Sequence, residues 1–94
     1  MSKFKPGDAV AVPAVVQQGA FLGEYLVTVS TQTGPVSGFV RERDFVEPQK
    51  TIQAVVLEST DHSLAVQLSG SYFTTNGLAK FPAEWARQNV KAPA

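Results

Sequence analysis

Apolar and polar residues alternate along most of the chain, and a period of two marks extended strands packed on one side. Tyr25-Leu26-Val27-Thr28-Val29-Ser30 sets Tyr25, Val27 and Val29 on one face. Leu64, Val66 and Leu68 alternate with Ser63, Ala65, Gln67 and Ser69 in the same way. Thr51 to Glu58 is apolar on both faces, Ile52, Ala54 and Val56 on one and Val55 and Leu57 on the other, which predicts a strand covered on both sides. Asp8 to Val16 reads as a strand that bends or ends at Pro13, where the ladder loses a donor. Turn chemistry separates these runs at Gln17-Gln18-Gly19, Thr33-Gly34-Pro35, Thr60-Asp61-His62 and Asn76-Gly77. The last suits a two-residue hairpin joining Tyr72–Thr75 to Leu78–Phe81. Pro82 to Asn89 predicts a short helix, with Pro82 where a missing N–H does no harm and Glu84 near the positive end of the dipole. So short a helix depends on packing by Trp85.

Glu47-Pro48-Gln49-Lys50 is the best internal boundary and divides the chain into units of 3–48 and 49–90, with 91–94 as a frayed tail. Each unit runs strand, turn, alternating strand, glycine turn, then a strand entering a helical turn, so a pseudo-repeat is one reading of the order. Phe4-Lys5-Pro6-Gly7-Asp8-Ala9-Val10 resembles the opening of SH3-like small β-barrels, where such a turn delivers the chain into the first strand. Gly38-Phe39-Val40, followed by Arg41-Glu42-Arg43-Asp44-Phe45-Val46-Glu47-Pro48, resembles their ending: a strand, one helical turn and a short last strand. The resemblance implies a mainly β fold, an SH3-like barrel over 3–48 followed by a β-hairpin-rich unit with a short C-terminal helix. The first unit holds no tryptophan, so recognition of proline-rich peptides is not implied.

The chain has 94 residues, and 44% apolar composition excludes intrinsic disorder. Eight basic residues balance eight acidic ones, so no long-range field draws in a polyanion. Cysteine is absent and His62 is the single histidine, which removes disulfide scaffolds, thiolate chemistry and the usual transition-metal sites. No glycine cluster forms a phosphate loop ahead of a helix. Glu42, Asp44 and Glu47 share one turn with Arg41 and Arg43, which reads as local charge compensation rather than paired-acid catalysis. The expectation is a protein without catalytic residues, metal or cofactor. The polar N-terminus and the lack of a long apolar run predict no targeting signal and no membrane span, hence a cytoplasmic address in a bacterial or phage-infected cell.

What remains is contact chemistry. Phe21-Leu22 lies between Gly19 and Gly23 in a loop; the pair either tucks over the end of the fold or stands out as a contact patch. Tyr72 and Phe73 are adjacent in an extended segment and point to opposite faces, so one of them belongs to an interface within or between chains. Arg41, Arg43 and Trp85 lie in or beside the same closing segments and are residue types favoured at interface cores. Trp85 and Phe73 are also the natural packing between a C-terminal helix and the second unit. These seven residues are the candidate partner-binding set for a small adaptor or phage accessory module that binds another protein or itself. The alternative is a nucleic-acid-binding small barrel, using Lys3, Lys5, Arg41 and Arg43 beside Phe39, against which the charge balance weighs.

Overall fold

The computed structural model describes residues 4–73 and 75–92. Eight strands, a single 3-10 turn and one helix follow in the order β1 (Ala9–Pro13), β2 (Val15–Gln18), β3 (Glu24–Thr31), β4 (Gly34–Arg41), the turn Glu42–Asp44, β5 (Thr51–Ser59), β6 (Ser63–Leu68), β7 (Ser71–Tyr72), β8 (Leu78–Pro82) and α1 (Ala83–Asn89). They form two antiparallel four-stranded sheets, β1-β5-β6-β8 and β2-β3-β4-β7, so the fold is mainly β with a short C-terminal helix. The two sheets are separate and do not close into a barrel. Pro13 and Ala14 mark the corner where the chain leaves the first sheet and enters the second, as the missing donor of Pro13 demands.

Alternation decides what each sheet buries. Val10 and Val12 of β1, Ile52, Ala54 and Val56 of β5, Leu64, Val66 and Leu68 of β6, and Ala79 and Phe81 of β8 all turn inward. Val27 and Val29 of β3 and Val36 and Val40 of β4 share the inner side of the second sheet, with Val29 opposite Val36 and Val27 opposite Gly38. Two core clusters result. One is built around Phe81, Leu64 and Val66 beneath α1, the other around Val27, Val40, Phe45 and Ile52, and Ala14 and Tyr72 pack against both. Trp85 stacks on Phe81 with ring centroids 5.1 Å apart and docks α1 on the first cluster.

Three expectations are corrected. β5 is paired on both edges, but one of its faces is partly open: Val55 and Leu57 are each 45% exposed. Asn76-Gly77 does not close a hairpin between Tyr72–Thr75 and Leu78–Phe81; β7 pairs with β4 and β8 pairs with β6, in different sheets. Thr74 of that expected hairpin lies outside the described residues. Lys91, expected to fray, exchanges both backbone hydrogen bonds with Ala11, at 2.7 and 3.1 Å; Pro93 and Ala94 lie outside the described residues.

A helical turn follows β4 at Glu42–Asp44. The short last strand after it shrinks to one bridge, Phe45 to Ile52, and the strand that returns onto β1 is β5. Strand pairing crosses the turn at residues 47–50 through β1 with β5 and β4 with β7, and single bridges cross it at Phe45 with Ile52 and Ala11 with Lys91.

Candidate functional site

With Val27, Val29, Val36 and Val40 committed to the core, their neighbours in β3 and β4 face outward. Register then assembles a surface. Gln17, Leu26, Phe39 and Ser71 form one cross-strand row, and Val15, Thr28 and Ser37 form the next. Phe73 joins the second row by donating its N–H to the Ser37 carbonyl, 3.0 Å away. Its ring meets Phe39 edge to face, with centroids 5.3 Å apart and an angle of 72°. Such pairs stabilise by about 0.5–1.5 kcal/mol beyond their buried area. Even so, Phe73 stays 61% exposed and Val15 67% exposed. Thr28 and Ser37 share a hydroxyl hydrogen bond of 3.0 Å, which satisfies the polar groups between the apolar ones.

Gly38 makes this arrangement possible. A Cβ there would lie 2.3 Å from the Ser71 carbonyl oxygen and 2.7 Å from the Tyr72 Cα, so only glycine lets β7 approach β4 closely enough to place Phe73 beside Phe39.

The candidate residues named from sequence divide into two groups. Phe21 and Leu22 do not tuck back: they are 72% and 97% exposed in the loop joining β2 to β3, at the end of this face. Arg41 is exposed at the same end, opposite Glu24. Phe73 lies on the face itself. Arg43 is exposed on the 3-10 turn, and its carbonyl accepts from the Gln53 amide at 3.0 Å. Tyr72 and Trp85 belong instead to the packing: Tyr72 points inward between the two core clusters and Trp85 holds the helix. Val15 and Leu26 were missed from sequence, and Phe39 was noticed only beside basic residues. The signal for Leu26 and Phe39 was present in the alternation that buries Val27 and Val40.

Tyr72 has a measurable consequence. Its hydroxyl donates to the Ser69 carbonyl at 2.9 Å, while Asp44 accepts from the Ser69 hydroxyl at 2.5 Å. Burial, aided by the negative charge of Asp44, raises the Tyr72 hydroxyl well above the ordinary phenol range. The unfolded chain releases this proton from about pH 10 upward and the folded chain holds it, so stability is complete below pH 10 and falls as pH rises above it. Denaturant midpoints measured between pH 8 and pH 11 are expected to drop above pH 10, and Tyr72→Phe is expected to flatten that drop.

The outer face of the first sheet carries a second feature, a shallow groove of about 570 Å³ lined by Ala9, Val46, Gln53, Val55, Gln67 and Ser69. The Gln53 amide is committed to the Arg43 and Phe45 carbonyls and the Gln67 amide to the Asn76 carbonyl, leaving mainly hydrocarbon toward the groove. Among the described residues no three His, Asp or Glu side chains gather into a metal-holding group, and no helix is long and apolar enough to cross a membrane. No protein family, curated protein or solved structure matches the chain.

Proposed function

We propose that the chain is a non-enzymatic interaction or assembly module, a small cytoplasmic adaptor or phage accessory protein, that binds a protein surface through the outer face of its second sheet. One observation carries the reading: Phe73, seated on the half-buried Phe39, stands open on a face continued by Val15 and ending in the exposed Phe21-Leu22 loop. Large apolar side chains grouped on a surface lower their free energy by being covered, and aromatic residues are enriched where proteins cover one another. Zero net charge supports it, since little repulsion keeps two such surfaces apart. The helical turn after β4 supports the SH3-like resemblance of residues 3–48, in an opened form. Exposed Arg41, two residues along β4 from Phe39, and Arg43 on the turn are the groups a nucleic-acid reading would use, but the chain supplies no surplus of positive charge to hold a phosphate backbone.

The test is the double variant Phe21→Asp, Leu22→Asp. Both side chains are exposed, so folding stability is expected to stay within about 0.5 kcal/mol of the parent. Association with a protein partner is expected to be lost. A large fall in melting temperature would place the pair in the core, and unchanged association would remove the loop from the contact.

A further inference from the structure

We propose that β2 is an open edge that pairs antiparallel with the β2 of a second copy of this chain. The proposal rests on the interaction-module reading and names the partner and the geometry. The four sheet edges are not equivalent. On the first sheet, the outer edge of β1 is closed by Lys91, and β8 carries Lys80 and Pro82, with the Lys80 carbonyl taken by Gln32. On the second, β7 is only two residues long. Charge, proline, shortness and cover are the devices that keep an edge from recruiting another strand; β2, Val15-Val16-Gln17-Gln18, is twice as long as β7, carries neither charge nor proline, and has no strand paired to its outer edge among the described residues.

Hydrogen-bond parity shows which groups of β2 are open. Gln18 stands opposite Tyr25, and the next residue, Gly19, donates to the Glu24 carbonyl at 2.8 Å, which makes Gly19–Glu24 a bonded pair. Bonded and non-bonded pairs alternate in an antiparallel ladder, so Gln17 and Val15 bond to β3 while Val16 and Gln18 turn their N–H and C=O outward. Ala14 has the same parity, and its N–H already reaches the other way, to the Lys50 carbonyl. A two-fold axis at Gln17 sets Val16 of one copy against Gln18 of the other, and every outward N–H and C=O on the edge meets its complement. Each sheet face also meets the like face, so the apolar surfaces become continuous.

Charge agrees with a second copy as the occupant. A strand that pairs with itself sets like residues together, which a charged edge forbids and β2, carrying no charge, allows.

Position 17 meets itself across the axis, and this gives the test. Sedimentation equilibrium on the full chain should give twice the 10.1 kDa chain mass. Gln17→Glu alone and Gln17→Lys alone should each give monomers, since like charges oppose, and an equimolar mixture of the two should restore the dimer. Gln18→Pro, which removes an outward N–H, should also give a monomer; melting curves establish that each variant folds. A parent chain that stays monomeric into the high micromolar range would overturn the proposal. So would a dimer indifferent to both charges, or a mixture that fails to restore it. Those outcomes leave the reading of the aromatic face standing, because that reading is tested separately, by whether a Phe73→Asp variant still holds a protein partner.

Discussion

Gly38→Ala is expected to destabilise the protein by about 3 kcal/mol, at the upper end for overpacking, because the atoms it meets are backbone. The added methyl would lie 2.3 Å from the Ser71 carbonyl oxygen, 2.7 Å from the Tyr72 Cα and 2.7 Å from its Cδ1. β7 makes its two registered contacts with β4 at Gly38 and Phe39, so the strand must lift off as a whole. The consequence reaches the surface: Phe73 is carried away from Phe39, and the apolar face loses that ring pair. Urea unfolding measures the first effect. A change below about 1 kcal/mol would mean that β7 does not hold Phe73 in place.

Phe81→Ala should cost about 3–5 kcal/mol. Phe81 is fully buried, faces the first core cluster from β8 and carries Trp85 on its ring. Truncation opens a cavity and takes away the platform on which α1 docks. A domain of this length has a total stability of roughly 5–14 kcal/mol. The loss is therefore a large part of the whole, and the helical circular-dichroism signal should fall with the denaturant midpoint. Retention of the parent midpoint would show that the core does not depend on this ring.

Much of this architecture is legible in the residues, and what is not has a physical reason. Tyr25, Val27 and Val29, and likewise Leu64, Val66 and Leu68, announce their strands and their inner faces, since alternation is a local property that the pleat enforces. Helix α1 and the turn at Glu42–Asp44 are equally local. Pairing is not. Asn76-Gly77 has the chemistry of a tight hairpin, yet Leu78 pairs with Gln67 and Tyr72 with Gly38, partners chosen by the rest of the fold. Val55 and Leu57 look like the second side of a buried strand, but that side is partly open, and cover is not a local property. For the site, the glycines place Phe21-Leu22 in a loop, but exposure depends on whether any neighbour reaches them. The open edge of β2 is the least visible feature, because an edge is defined by what does not lie beside it.

The central claim is that the outer face of the second sheet binds protein. The most direct measurement is capture from a bacterial lysate with the tagged full chain, divided into nuclease-treated and untreated halves, beside a Phe73→Asp variant shown to melt with the parent. The account predicts that the same proteins are recovered from both halves by the parent and that the variant recovers none of them. Recovery that disappears with nuclease, or proteins held equally well by Phe73→Asp, would contradict it.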